Sequence, residues 1–163
     1  MFTFEHFLEP FPLAGIHLPS STSLDDKEVG EAVQQGQEFP TVLVVEDDPL
    51  LLGMVEDALD EGGFKVTAVG SAEEAITLMK GNETPYCALI TDINLSGGID
   101  GWEIARTARE IHAGFPIIYM TGAAGDEWPS KGVPNSILLN KPFAPAQIVT
   151  AVSQLLNAGS PSA

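Results

Sequence analysis

Basic residues are scarce in this chain: seven Lys and Arg stand against 23 Asp and Glu, a formal net charge of −16 over 163 residues. A surface so acidic repels phosphate backbones and anionic lipid, so neither nucleic acid nor a membrane surface is expected as a partner. Cysteine is scarcer still. Cys87 stands alone, which excludes an internal disulfide, and its place in an apolar run marks a buried structural thiol rather than a reactive one. His6, His17 and His112 are dispersed without ligand spacing, which argues against a histidine metal site. No apolar run approaches the roughly 20 residues of a membrane-spanning helix. The N-terminus also lacks the basic segment followed by an apolar one that marks a secretory signal. The cytoplasm is therefore the expected compartment.

What is present is carboxylate at the ends of apolar runs. In TVLVVEDD, residues 41 to 48, Val42, Leu43, Val44 and Val45 form an uninterrupted apolar stretch, as in a parallel strand covered on both faces. Glu46, Asp47 and Asp48 follow, and Pro49 suits the first position of a helix. YCALITD places Asp92 after a second apolar run, PIIYMTG places Thr121 after a third, and SILLNKPF ends with Lys141 before Pro142. Ligands of open α/β sheets bind outside the carboxyl ends of the strands. A cation site, a nucleophile, a hydroxyl and an ammonium thus converge on one edge.

Residues 41 to 157 read as five strand–helix units. Strands are expected at 42–46, 64–69, 86–91, 116–120 and 136–140, with Lys65 marking the second as an edge strand. The first helix runs from Pro49 to about Asp60 with Leu51, Met54, Val55, Ala58 and Leu59 inward, and Gly62 and Gly63 end it. Ser71 and Glu74 suggest a capping box for the second, which reaches about Lys80. The third spans Trp102 to about His112, with Ile104, Ala105, Ala108 and Ile111 inward. The last begins near Ala144 and buries Ile148, Val149, Val152, Leu155 and Leu156. Between Thr121 and Lys141, three Gly and two Pro in GAAGDEWPSKGVPN oppose a full helix, so the fourth is expected to be short or distorted.

These residues, in this order, resemble the receiver domain of bacterial two-component response regulators. The resemblance implies a doubly wound five-stranded parallel sheet of flavodoxin-like order 2-1-3-4-5, with helices on both faces. It assigns Asp92 as phosphoacceptor, Thr121 as switch hydroxyl and Lys141 as the lysine before a cis proline. Glu46, Asp47 and Asp92 side by side would repel one another. A divalent cation removes the conflict, and oxygen-only ligands suit Mg²⁺. By the resemblance Asp47 and Asp92 are direct ligands, Glu46 is a ligand through water, and the main-chain oxygen of Asn94 is a further one. The expected donor of the phosphoryl group is a sensor histidine kinase or a histidine phosphotransfer protein. Asp48 is better read as a helix cap than as a ligand.

Two departures from the family pattern stand out. The loop after Asp92, INLSGGIDG, is one residue longer and has Leu95 and Ser96 where a proline is usual. Leu138 replaces the aromatic three residues before the lysine. Tyr119, in the fourth strand, is expected to pack in the core instead.

Three domains are expected: an N-terminal arm and acidic linker at 1–39, a receiver domain at 40–158, and a short tail at 159–163. Four of the eight Phe lie within the arm's first 11 residues. Phe2, Phe4, Phe7 and Phe11, with Leu8 and Leu13, are too apolar to leave in water, so the arm is expected to dock on its own domain or on a second copy, giving a homodimer. The stretch from Ser20 to Glu38 reads as a linker in which Ser23 would cap a weak helix. On the first helix, Leu50 and Leu52 flank the inward stripe and form a docking spot for a helical kinase or phosphotransfer domain.

The expected function is that of a stand-alone response regulator, not a turnover enzyme, since little sequence follows the last helix. It would signal by protein contact or by onward phosphotransfer. The rival is a Mg²⁺-dependent phosphohydrolase with an aspartate nucleophile. Such enzymes usually carry a second carboxylate two residues after the nucleophile, where this chain has Asn94.

Overall fold

The computed structural model describes residues 39–81 and 85–159. The expectations for the N-terminal arm, its linker and the last residues of the tail lie outside the described residues.

Five short strands alternate with helices: β1 (Thr41–Val45), α1 (Pro49–Glu61), β2 (Lys65–Val69), α2 (Ala72–Gly81), β3 (Ala88–Asp92) and α3 (Gly101–Ile111). After these come β4 (Ile117–Thr121), a 3₁₀ turn (Gly125–Glu127), α4 (Trp128–Lys131), β5 (Ile137–Asn140) and α5 (Pro145–Ala158). Every strand pair is parallel and the order is β2-β1-β3-β4-β5. β1, β3 and β4 are apolar on both faces because both faces are covered. Leu43, Leu89 and Tyr119 pack in one core with α2 and α3 residues such as Ala75 and Ile104. Val44, Ile90 and Ile118 pack in the other with Val55 and Leu59 of α1 and Ile148 and Val152 of α5. Alternation along each strand thus feeds two cores.

Local signals set the helix ends. The Asp48 carboxylate accepts the Leu50 N–H at 3.0 Å and caps α1, and the Gly62 N–H closes it onto the Ala58 carbonyl at 3.0 Å. Ser71 Oγ accepts the Glu74 N–H at 3.2 Å, while it is the Ser71 hydroxyl, and not the Ser71 backbone N–H, that donates to Glu74 Oε1 at 3.5 Å. That is one arm of the expected capping box.

Two expectations need correction and a third is refined. β3 starts at Ala88, not 86, because Tyr86 and Cys87 precede the first β1–β3 register pair, Val42 with Ala88. The Cys87 N–H still reaches the Thr41 carbonyl at 2.8 Å, its side chain is half-buried, and burial pushes its thiol up to about 11, which keeps it unreactive. Ile111 is 46% exposed rather than inward, because α3 ends there and His112 turns to extended backbone. The segment before β5 is short, as expected, and falls into two pieces: a three-residue 3₁₀ turn and a four-residue helix.

Candidate functional site

The acidic residues stand where β1 and β3 end side by side. Glu46 extends β1 by one further bond, its N–H donating to the Val69 carbonyl at 3.1 Å, and its side chain is only 1% exposed. Asp92 is the last residue of β3 and is 5% exposed. Asp47 projects into solvent beside them. One carboxylate oxygen from each of Glu46, Asp47 and Asp92 lies within 4.8 Å of the others.

Lys141 reaches in from the end of β5. Its Nζ lies 3.0 Å from Glu46 Oε1 and 3.3 Å from Asp92 Oδ1, so one ammonium bridges both buried carboxylates. Its N–H donates to the Thr121 carbonyl at 2.8 Å, which ties the end of β5 to the end of β4. The Lys141–Pro142 peptide bond is cis.

Electrostatics follow from this crowding. Burial is the main force raising both Glu46 and Asp92 above the usual carboxylate range, and Lys141 only partly offsets it. Burial alone would lower Lys141, but the Glu46 and Asp92 carboxylates outweigh it and hold the ammonium above its ordinary value. Asp47 moves the other way. The Ser96 N–H, donating at 3.0 Å, lowers it, and the Ser96 hydroxyl adds a second bond at 3.0 Å to the same oxygen.

Thr121 is fully buried at the end of β4. Its Oγ1 accepts N–H bonds from Ala123 at 3.1 Å and Ala124 at 2.7 Å. With both acceptor sites used, the hydroxyl proton is what Thr121 has left to donate. Tyr119 is buried, packs on Trp102 with ring centroids 4.8 Å apart, and accepts the Val133 N–H at 3.1 Å. Leu138 is half-buried against the same core.

The structure therefore brings together Glu46, Asp47, Asp92 and Lys141, with Thr121 on the adjoining strand. Asn94 is exposed in the loop two residues after Asp92. Leu50 is 85% exposed on the first turn of α1. Leu52 is not surplus: it is half-buried and packs against the α1–α5 core, because it falls partly within the inward arc of the helix. Ser96 was missed as a site residue. It lies 49 residues from Asp47, and a serine in a glycine-rich loop carries no sequence sign of its partner.

The chain is similar to known proteins in sequence and in fold. The response regulator receiver domain family matches residues 42–153. The chain belongs to that family. A response regulator receiver protein of Anaeromyxobacter sp. (strain Fw109-5) is 37% identical over 68% of this chain and 43% of its own length. The response regulator receiver protein CpdR of Brucella abortus (strain 2308) is 31% identical over 71% of this chain and 95% of its own length. Among solved structures, a response regulator receiver protein from Sinorhizobium medicae WSM419 is 48% identical with a TM-score of 0.72, covering 74% of this chain and 97% of that one. The chain spans under half of some curated relatives, 43% of the Anaeromyxobacter protein and 48% of the Bacillus subtilis transcriptional regulatory protein YvrH.

The chain thus carries the receiver domain of a response regulator in two-component signalling. Domains of this family act in signalling rather than turnover and typically bind Mg²⁺ at an acidic pocket, which the Glu46, Asp47 and Asp92 cluster fits. Among the described residues, no helix is long and apolar enough to cross a membrane.

Proposed function

We propose that Asp92 accepts a phosphoryl group from a sensor histidine kinase or a histidine phosphotransfer protein in the cytoplasm. The protein would then signal by protein contact or pass the group on. The observation that carries this reading is the juxtaposition of buried Asp92 with Glu46, Asp47 and a lysine Nζ 3.3 Å away. No stability argument requires two buried carboxylates beside a third.

In the step proposed, an Asp92 carboxylate oxygen attacks phosphorus in line while the phosphorus–nitrogen bond of a phosphohistidine breaks. The electron pair leaves with the imidazole nitrogen. Asp92 then carries an acyl phosphate. Lys141, already between Glu46 and Asp92, would neutralise the entering phosphoryl oxygens, and Thr121 would donate its hydroxyl proton to one of them. Asp47 and Asp92, with Glu46 through water and the Asn94 main-chain oxygen, would hold Mg²⁺. The bound ion supplies charge neutralisation for the acidic pocket and the incoming group. Exposed Leu50, beside the pocket on α1, offers an apolar contact to the helical donor domain, with Leu52 contributing only the part of its side chain that the core leaves open.

Intact-mass measurement after incubation with acetyl phosphate and Mg²⁺ tests the reading. One added phosphoryl group is expected, absent with EDTA and in Asp92→Asn. Labelling of that variant at another carboxylate would overturn the assignment. Release of many phosphate equivalents per protein would favour the phosphohydrolase, against which Asn94 speaks.

A further inference from the structure

The loop between β3 and α3 does more than connect them. Its neck is closed by the Gly101 N–H, which donates to the Ile93 carbonyl at 2.9 Å. A side chain at position 101 would meet the Asp92 carbonyl oxygen at 2.2 Å, so only glycine permits that closure. Gly97 takes φ of +115°, a left-handed conformation that reverses the chain directly after Ser96. From that tip Ser96 reaches across to Asp47.

Both Ser96 bonds, from N–H and from Oγ at 3.0 Å each, end on the same oxygen, Asp47 Oδ2. Had they been shared between the two carboxylate oxygens, they would compete with a cation. Converging on one, they keep Ser96 off Oδ1. Beyond Ser96, Asp47 has contacts with the Glu46 side chain and its own backbone N–H, yet its side chain is exposed and has rotamer freedom to lose on binding a cation. The Ser96 contact holds the loop that carries Asn94 against the end of β1.

We propose that Ser96 is a positioning residue for the divalent-cation site: it fixes Asp47 and the Asn94 segment in the geometry that binds the ion. This rests on the reading of Glu46, Asp47 and Asp92 as a cation site. Ser96 itself does not touch the ion. Its contribution is to remove in advance the disorder that binding would otherwise have to remove.

Calorimetric titration of the full chain with Mg²⁺ tests this in wild type, Ser96→Ala, Ser96→Thr and Ser96→Pro. Ser96→Ala keeps the N–H and loses the hydroxyl, and its Mg²⁺ dissociation constant is expected to rise about 3- to 10-fold, the scale of one ordinary, solvent-accessible hydrogen bond. Ser96→Pro loses both donors and is expected to weaken binding further, and Ser96→Thr to restore it. In EDTA the melting temperature of Ser96→Ala should fall only slightly, by what one exposed hydrogen bond is worth, while the rise that Mg²⁺ brings should be smaller than in wild type, which separates positioning from stability. In acetyl phosphate labelling, the Mg²⁺ concentration at half-maximal rate should rise while the rate at saturation stays. Unchanged Mg²⁺ affinity in Ser96→Ala would overturn the proposal, and tighter binding would show that Ser96 competes with the ion. Absence of Mg²⁺ binding in wild type would instead overturn the cation site itself.

Discussion

The two halves of the sheet's carboxyl edge are held differently. On one side, β1 and β3 are paired on both flanks, and their residues are buried except for half-buried Thr41. They deliver Glu46, Asp47 and Asp92 from a base that cannot shift without opening both cores. On the other side, the chain from Gly122 to Asn135 holds one three-residue turn and one four-residue helix. Its ties to the rest include the bonds of Ala123 and Ala124 to Thr121 Oγ1, the 3.0 Å bond from Trp128 Nε1 to Ser136 Oγ, and the Val133 N–H on Tyr119. The contrast teaches where each task can sit. Chemistry needs atoms fixed to fractions of an ångström, whereas a response needs a segment whose alternatives differ by a few kcal/mol. A phosphoryl group that drew the Thr121 hydroxyl toward itself would strain two of those bonds at once. Leu138 stands where the family pattern has an aromatic, so a response is to be sought in the segment carrying Trp128.

The contrast breaks if core substitutions on the two sides cost the same. Ile90→Ala in β3 should destabilise by about 2–5 kcal/mol, as for a fully buried aliphatic side chain. Leu138→Ala in β5, only half-buried, should cost about 1 kcal/mol. Urea unfolding measures both.

Lys141→Ala removes the cation between two carboxylates and should cost about 1–3 kcal/mol without metal, less than a fully buried pair because the lysine is 26% exposed. Mg²⁺ should bind nearly as before and so leave that cost nearly unchanged, while the response of the 122–135 segment to phosphorylation is lost. Hydrogen exchange in that segment reports the response directly.

Trp128→Phe keeps an aromatic ring, though a smaller one, and removes the donor to Ser136. A cost of about 1 kcal/mol or less is expected globally, with faster amide exchange confined to the segment around α4. Exchange speeding equally in β1 and β3 would mean that the two sides are not separable.

The smallest effect is on pH dependence. Asp92 and Glu46 are held above the ordinary carboxylate value by burial. In the window that opens near pH 4, roughly the ordinary carboxylate pKa, the folded protein holds more protons than the unfolded chain, so stability falls as pH rises through it. Asp47, held low, contributes in the opposite sense, and its share is lost as pH falls through its folded value. Without metal, Asp92→Asn should show a shallower decline of melting temperature with rising pH than wild type. An identical slope would mean that Asp92 titrates normally.

The site was more legible in the sequence than the loops around it. Glu46, Asp47, Asp92, Thr121 and Lys141 each follow an apolar run, and a parallel sheet places such ends together by topology alone. The short fourth helix was legible too, because Gly and Pro act locally. Ile111 and Leu52 were misread because periodicity marks a face but not where a helix outruns the core or how wide the inward arc is. Ser96 could not be read at all, since its partner is fixed by how the loop folds back at Gly97 and not by any spacing.

The central claim is that the buried end of β3 is the chemical centre. Intact mass after acetyl phosphate with Mg²⁺, compared between wild type, Asp92→Asn and Ile90→Val, tests it most directly. One added phosphoryl group on wild type and on Ile90→Val, and none on Asp92→Asn, is the predicted result. Equal labelling of Asp92→Asn, or no labelling of folded wild type, would contradict it.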